Sequence, residues 1–511
     1  MSTEEVKPPV IFTGNAKAPS LRKLPIPPTG KVTRYILTSA QNNTEMHDKT
    51  WANLQALRAH YGAQIFVSRF TYNKASYSSA SVKPGTAKAS DKAPVSWPDQ
   101  IKPYIQEEYI ELAPGLIWCG NMNILPTAVN PLAGLDAYTG RASSIVPHPK
   151  FAMRSVASGK NEATKLMYTT GTVTLRNYIQ KKEGMKAEFH HGYGALLVEV
   201  DATGSWWVRQ LNADSDGTIY DLGVKAESGK VTTDNRIEGV AWGDIHVAQG
   251  DHDVNRACWG HTAPSMIDVL KPKHQFMHDL MDFHTRSGHV IKRNLFHDLF
   301  RTWAQGHTKV AHEFDGAYRF LEGADRNGCR THVVMSNHDR FFDEWLHIGD
   351  YRKDPGNAIL FLEAQLYAYN HMASQPSGPK PKMLEWALRR SHQHAGGEFK
   401  RFTKVNFLDL DDSFILCPDA NGGIEMAMHG HLGPNGSRGM ASNIARMGRK
   451  AVIGHSHSAG IYDGVYQTGL TGSMDQGYNS GPSSWTQSHV IVYPNGKRAV
   501  ITLWGGKWRA E

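Results

Sequence analysis

Near its middle the chain reads Ile237-Glu238-Gly239-Val240-Ala241-Trp242-Gly243-Asp244-Ile245-His246. A β-prone, largely apolar run leads directly into an Asp and a His. A short apolar run bounded by glycine is typical of a buried strand. In open α/β sheets, ligands bind at the carboxyl ends of the strands. The stretch therefore predicts a strand that delivers Asp244 and His246 to a site.

Four further clusters of polar residues follow in the second half of the chain. They are His278-Asp279-Leu280-Met281-Asp282, Ser336-Asn337-His338-Asp339, Met428-His429-Gly430-His431 and Gly454-His455-Ser456-His457. Apolar runs at 332–335 and 451–453 precede two of them. The segment from Asp244 to Asp279 has about the 30 residues that a strand, crossover helix and parallel strand require. Gly250-Asp251-His252-Asp253 follows the first cluster too closely for such a crossover, so we expect a loop there.

The residue types in these clusters point to metal chemistry. Asp and Asn supply hard oxygen ligands and His supplies borderline nitrogen. This mixture suits paired Mn²⁺, Fe or Zn²⁺ better than a thiolate zinc site or an all-oxygen Ca²⁺ site. We predict a two-metal phosphoesterase site that holds two divalent ions, with Mn²⁺ favoured and Mg²⁺, Fe or Zn²⁺ as alternatives.

The ordered clusters resemble the calcineurin-like metallophosphoesterase superfamily, whose pattern is DxH, GDxxD, GNH(D/E), HG and GHxH. The resemblance covers residues 236–511, with His278 and Ser336 in place of two glycines. It implies an α/β fold, namely the family's four-layer αββα sandwich, here preceded by an additional α/β domain.

The resemblance also implies a ligand set. One metal would be held by Asp244, His246, Asp279 and His457, and the other by Asp279, Asn337, His429 and His455. Asp279 would bridge two ions about 3.5–4 Å apart, an arrangement that activates hydroxide for in-line attack on phosphorus. His431 remains an alternative to His429, because residues two apart on a strand share a face.

His338 resembles the family's catalytic histidine. It would donate a proton or hydrogen bond to the leaving oxygen, with Asp339 orienting its imidazole and favouring the protonated form. The chain has 26 histidines, and those outside the clusters are expected to be structural or exposed.

Composition is that of a globular protein of two or three domains, at 511 residues with 40% hydrophobic and 20% charged residues. No apolar run approaches the roughly 20 residues that span a bilayer, and the start lacks a signal-peptide core. We therefore expect no membrane association and a cytoplasmic location. The scattered Cys119, Cys258, Cys329 and Cys417 predict free, buried thiols.

Residues 1–30 are rich in Pro and Lys and predict a flexible arm, and residues 31–235 predict an α/β accessory domain of unknown role. We expect strands at 32–38, 64–67, 115–119 and 195–200, a helix at 49–61 and a surface loop at 75–98. Glu188–Tyr193 is a candidate substrate contact, whereas Thr169–Thr174 is more typical of a strand edge.

A net charge of +8 favours a polyanionic partner. Basic and aromatic residues alternate in two insertions, where they could form a DNA groove. The first insertion contains His289, Lys292, Arg293, Phe296, Phe300, Arg301, Trp303 and Lys309, and the second contains Lys380, Lys382, Trp386, Arg389, Arg390, Lys400, Arg401 and Lys404. Alternatively, Phe296, Leu299, Phe300 and Trp303 face a core while the charges are solvated.

The whole layout, with Arg34-Tyr35-Ile36-Leu37-Thr38-Ser39-Ala40-Gln41-Asn42 opening the first domain, resembles early DNA-degrading proteins of tailed bacteriophages. It implies a metal-dependent DNA nuclease that degrades host DNA, in the host cytoplasm if the chain is phage-encoded. The alternatives are a phosphatase or small-molecule phosphodiesterase, and a non-catalytic DNA-binding or assembly protein. A homo-oligomer is compatible with any of these.

Overall fold

The computed structural model describes residues 21–72, 95–286, 300, 302–420, 422–477 and 479–510. In these residues the chain is a mixed α/β protein with several sheets, which confirms the predicted class. The strands, in chain order, are β1 Arg22–Lys23, β2 Thr33–Gln41, β3 Gln64–Phe70, β4 Tyr109–Ala113, β5 Leu116–Cys119, β6 Ser143–Val146, β7 Met153–Val156, β8 Lys165–Thr169, β9 Gly194–Val200, β10 Trp206–Asn212, β11 Ile219–Asp221, β12 Val224–Glu227, β13 Lys230–Thr232, β14 Gly239–Ala241, β15 His274–His278, β16 Arg330–Val334, β17 Asn406–Leu408, β18 Ile415–Leu416, β19 Ile424–Glu425, β20 Lys450–Ile453, β21 Gly460–Tyr462, β22 Val465–Gln467, β23 Ser488–Val492 and β24 Arg498–Thr502.

The α-helices, in chain order, are α1 Asp48–Tyr61, α2 Lys182–His190, α3 His252–Trp259, α4 Met266–Leu270, α5 Val310–Ala324, α6 Phe341–Ile348, α7 Ala358–Ser374, α8 Met383–His394 and α9 Ala441–Ala445. Short 3₁₀ turns, such as Asp99–Tyr104, lie between them.

Two sheets form the centre of the molecule. One has six strands in the order β17-β16-β15-β14-β23-β24, in which β14 to β17 are parallel and β23 and β24 antiparallel. The other has eleven strands in the order β1-β4-β5-β6-β8-β7-β21-β22-β20-β19-β18. Further sheets have the orders β10-β9-β2-β3 and β11-β12-β13.

Alternation along the strands of the six-stranded sheet divides its side chains between two cores. Val240 and Met277 face the core that contains helix residues such as Phe314. Their neighbours Ala241 and Phe276 face the opposite core, which they share with strand residues of the eleven-stranded sheet. Successive strand side chains point to opposite faces, so one apolar run fills both layers.

Residues 31–235 share this second core with residues 236–511. Leu37 and Trp118 lie in the same cluster as Phe276 and Val452. Strand β7 pairs with β21, so strands of the first segment continue the eleven-stranded sheet. The boundary near residue 235 stays a prediction: the first segment also has clusters of its own, around Leu54 and around Ile117, besides the core that it shares.

Most of the expected local elements are present. The strands expected at 32–38, 64–67, 115–119 and 195–200 and the helix at 49–61 correspond to β2, β3, β5, β9 and α1.

The crossover between the first two clusters contains α3 and α4, and Asp251 caps α3 by accepting from the backbone N–H of Asp253 and Val254. The four cysteines are free, although only Cys119 and Cys258 are fully buried.

Three expectations are corrected. Gly250–Asp253 was expected to be a loop, but His252 and Asp253 begin α3. Arg22 and Lys23, inside the expected flexible arm, pair with β4, whereas residues 1–20 lie outside the described residues. The alternative that places Phe300 and Trp303 in a core is wrong, because both are exposed. The rest of that insertion up to residue 299, residue 301 and most of the 75–98 loop lie outside the described residues. Among the helices that are described, none is long and apolar enough to cross a membrane.

A buried ion network stabilises the first segment. The guanidinium of Arg209 donates to Glu199 Oε2 at 2.7 Å and to Asp221 Oδ1 at 2.7 Å, and all three side chains are buried. Arg34 donates to the second oxygen of Glu199. Burial alone would raise the pKa of Glu199, but these two arginines lower it to about 2.

Replacement of Arg209 by Leu should lower the free energy of unfolding by about 3–5 kcal/mol, because it removes the guanidinium that pairs with the buried carboxylates of Asp221 and Glu199. Denaturant titration measures this loss. The matched control is Arg352→Leu, since Arg352 pairs with Asp350 at the surface and should matter little. Equal stability of the two variants would contradict the prediction.

Candidate metal centre

The polar clusters meet at one edge of the two central sheets. Asp244 and His246 follow β14, Asp279 follows β15, and Asn337 and His338 follow β16. His455 and His457 follow β20 of the eleven-stranded sheet, and His429 follows β19. Because β14, β15 and β16 are parallel neighbours, their carboxyl ends bring distant sequence segments together.

The first group contains Asp244, His246, Asp279 and His457, all buried, with one ligand atom each within 4.8 Å of the others. His457 Nε2 lies 3.2 Å from Asp244 Oδ2 and 3.1 Å from His246 Nε2. His246 Nε2 lies 3.6 Å from Asp279 Oδ2. This is the set expected for one metal.

The second group contacts the same carboxylate oxygen of Asp279 as His246 does. His429 Nε2 lies 3.4 Å from Asp279 Oδ2 and 3.1 Å from Asn337 Oδ1. His455 Nδ1 lies 3.0 Å from the same Asn337 oxygen. The structure thus brings all seven predicted ligands together, with Asp279 shared by the two groups.

Unsatisfied polar atoms make this cluster a fit for a cation. Asp244 Oδ1 and Asp279 Oδ1 are buried and have no hydrogen-bond partner among the described residues. A buried carboxylate oxygen without a partner costs several kcal/mol, whereas a bound divalent ion satisfies it. Carboxylate oxygen, amide oxygen and imidazole nitrogen are suitable donors for such an ion.

The backbone at the ligands is held in an unusual conformation. His246, Asp279, His455 and His457 have φ of 48°, 45°, 75° and 57°. This left-handed region is uncommon for residues with a Cβ, and each such residue costs on the order of 1–3 kcal/mol. The surrounding sheets must enforce it, and strain of this kind concentrates at functional sites.

Charge compensation differs among the ligands. Burial alone would raise the pKa of Asp279, but nearby His429 and His338 hold it well below its ordinary value. Burial would lower the pKa of His246, yet hydrogen bonding to Asp282 and the charge of Asp279 raise it to about 9. A metal would compete with that proton for the imidazole.

Asp339 is placed differently from its expected role. Its carboxylate accepts from the N–H of Met281 at 3.0 Å and from the hydroxyl of Ser336 at 2.8 Å, so it ties the loops after β15 and β16 together. Burial and the charge of Asp279 raise its pKa to about 7. A second buried acid lies beside His338.

That acid is Asp282. His338 Nδ1 lies 3.2 Å from the carbonyl oxygen of Asp282 and 3.5 Å from its carboxylate, which also lies 3.3 Å from His246 Nδ1. Burial lowers the pKa of His338, contrary to the expected stabilisation of its protonated form. Asp282 was missed as a site residue, although it is the last residue of the second cluster.

The two departures from glycine have different consequences. Ser336 supplies the hydroxyl that holds Asp339. His278 is buried, neither ring nitrogen has a hydrogen-bond partner among the described residues, and burial lowers its pKa to about 4. Its ring lies 5.7 Å from that of His429, so it packs beside the ligands as a neutral group.

Two other supports lie far away in sequence. His489 Nδ1 accepts from the N–H of Gly243, next to Asp244, while its Nε2 lies 3.2 Å from Cys258 Sγ. Trp485 packs edge-on against the ring of His457, at 4.4 Å between centroids. No short motif contains these residues, so their roles required the fold.

Gly454 tests how tightly the first group is built. A Cβ at this position would lie 2.2 Å from Asp244 Oδ1, so Gly454→Ala should displace that carboxylate and reduce the metal retained after purification at least tenfold. Elemental analysis by mass spectrometry measures this. The control is Gly323→Ala in α5, where the added methyl meets no atom within 4 Å. Full metal retention in Gly454→Ala would contradict the assignment of Asp244.

The choice between His429 and His431 can be tested in the same way. His429 contacts Asp279, whereas neither nitrogen of His431 has a hydrogen-bond partner among the described residues. We expect His429→Ala to lose bound metal and His431→Ala to retain it, as measured by elemental analysis. The reverse pattern would exchange their roles.

The chain is similar in sequence to a known phage protein. It is 38% identical over 487 residues to Protein A1 of Escherichia phage T5, an alignment that covers 93% of this chain and 83% of that protein. A scan against protein-family models gives no match. The identity and its coverage assign the chain to the phage protein family that includes T5 Protein A1.

Proposed function

We propose that the chain is a metal-dependent DNA nuclease that hydrolyses phosphodiester bonds with activated water. The observation that carries this proposal is the buried group of Asp244, His246, Asp279 and His457, with Asn337, His429 and His455 in a second group that also contacts Asp279. Ligand sets that share a central carboxylate suit two divalent ions, for which we favour Mn²⁺.

The fold supports a relationship to the calcineurin-like metallophosphoesterases. Two packed sheets with helices against the outer face of the six-stranded one agree with the central layers of an αββα sandwich. The order of the clusters and their positions after β14, β15, β16 and β20 agree with the family's pattern. Membership of a phage family is consistent with a role early in infection, in degrading host DNA.

Bound metal ions in such a site polarise the phosphate and lower the pKa of water. The residues of the chain do the rest. The carbonyl oxygen of Asp282 accepts from Nδ1 of His338, so the proton given to the departing sugar oxygen would come from Nε2 of the protonated imidazole. Asp339 fixes the loop that carries Asn337 and His338 relative to the loop of Asp279.

A groove between α7 and α8 is the candidate DNA contact. It has a volume of about 650 Å³ and is lined by Tyr367, Lys380, Lys382 and Trp386, among others. Tyr367 and Trp386 stack at 5.5 Å, and aromatic faces of this kind can stack on unpaired bases. Lys382 also lines a small cavity with Met335, the residue directly before the cluster that holds Asn337.

Ion pairs limit which basic side chains of this groove are available to bind DNA phosphates. Arg389 pairs with Glu385 and Arg390 with Glu363, so these arginines are largely neutralised within the helices. Lys380 lines the same groove and is exposed. The alternative, in which basic residues are only solvated charges on a helix face, therefore applies to Arg389 and Arg390 of the second insertion.

The proposal is tested with linear and closed-circular duplex DNA, with Mn²⁺, Mg²⁺ or chelator. We expect His338→Ala to lower DNA hydrolysis by a factor on the order of 10²–10⁴ while metal content is retained, because general acid catalysis contributes about that much. Asp279→Ala should lose both activity and metal. His312→Ala, at an exposed position on α5, is the matched control.

The same assay separates the alternatives. Hydrolysis of a small phosphodiester with DNA left intact would assign the site to a small-molecule phosphodiesterase or phosphatase. Metal-dependent DNA binding without hydrolysis of either substrate would replace the nuclease by a binding or assembly protein. Full activity of His338→Ala would refute the leaving-group role.

A further inference from the structure

Helix α7 carries apolar residues on two opposite faces. Leu360, Phe361 and Ala364 are buried in the core beneath it. Ile359, Leu362, Leu366 and Tyr369 point outward and are 72%, 45%, 62% and 66% exposed. We name these four residues the α7 stripe. A surface helix of a globular protein normally has a polar outer face, so this helix has one apolar face more than its own core requires.

The spacing of the α7 stripe is that of a helix-pairing surface. Successive members are three, four and three residues apart, which places them on one line along the helix, and exposed Ala373 continues the spacing. Apolar residues repeating every three and four positions form the contact line of paired helices.

The charge distribution suits contact with an identical surface. No charged side chain belongs to the stripe, and Glu363, which neighbours Leu362 on α7, is paired with Arg390 at 2.7 Å. Two copies related by a two-fold axis would therefore bring the stripes together without uncompensated like charges. An interface of this type is self-complementary, since the same patch serves both partners.

The exposed area of the stripe is near the lower limit for such an interface. At these exposures the four residues present roughly 500 Å² per copy, so complete burial of both stripes would remove about 1,000 Å² from water. A patch of this size is also at the upper end of what monomeric proteins leave uncovered.

We propose that the α7 stripe is a self-association surface whose occupant is the α7 stripe of a second copy of this chain, packed antiparallel about a two-fold axis. The groove between α7 and α8 lies on another side of the helix, formed by Glu363, Tyr367 and His371, and stays open in this arrangement. The proposal does not depend on nuclease activity or on bound metal.

Sedimentation velocity of the full chain at micromolar concentration tests it. The wild-type protein should sediment with at least twice the mass of one chain, and Leu366→Glu should reduce that mass to half or less, because it places carboxylates in the contact. The matched control is Phe189→Glu, since Phe189 is an exposed aromatic residue of α2 outside the stripe, and this variant should keep the wild-type mass. Circular dichroism checks the fold of each variant.

A second variant keeps the proposal testable if Leu366→Glu fails to fold. Leu366→Cys, near the middle of the stripe, should form a disulfide-linked dimer on mild oxidation, whereas Phe189→Cys should not. A wild-type protein that is monomeric throughout the concentration range would overturn the proposal. So would an assembly that survives Leu366→Glu unchanged.

Discussion

The burial of two carboxylates, Asp244 and Asp279, is the constraint on which the rest of this structure depends. An uncompensated buried charge costs several kcal/mol, so a fold that places two of them side by side must supply compensation. Histidines from three separate segments provide it, through contacts of 3.2–3.6 Å from His246, His429 and His457. The free oxygens of the same carboxylates point to a further cation, which is the simplest reason for the whole arrangement.

The backbone at these residues is strained, and the surrounding sheets hold it in that conformation. Four of the seven predicted ligands have positive φ, and none of them is glycine. The loops that carry these residues are hydrogen-bonded to each other. Asp339 connects the loops after β15 and β16. The N–H of His455 donates to Asp244 Oδ2 at 2.7 Å and connects the loops after β20 and β14. Such cross-connections fix geometry before any ion binds, which is how a protein sets ligand positions within a narrow range.

Sequence alone predicted which residues meet at this site, because the first, third and fifth clusters each follow a short apolar run, and these runs overlap β14, β16 and β20. It could not assign the partner of His338. Asp339 is adjacent in sequence but its side chain turns toward Met281, whereas Asp282 reaches His338 from the neighbouring strand end. Likewise, the helical spacing of Phe300 and Trp303 does not say whether their face is covered, and both are exposed. Pairing across strands and coverage of a face are tertiary properties that a single segment does not encode.

The first 235 residues illustrate the same limit, because without a motif their sequence gave no reason to connect them with the metal centre. In the structure, Thr164 donates to the carbonyl oxygen of Trp485, and Trp485 packs against His457. Strand β7 covers the edge of β21, which begins three residues after His457. Removal of this segment would expose that edge and the apolar core around Phe276, so the segment supports the geometry of the ligands by packing. Loss of activity in a shortened chain would therefore report on that support, and it would not by itself assign a chemical role to residues 31–235.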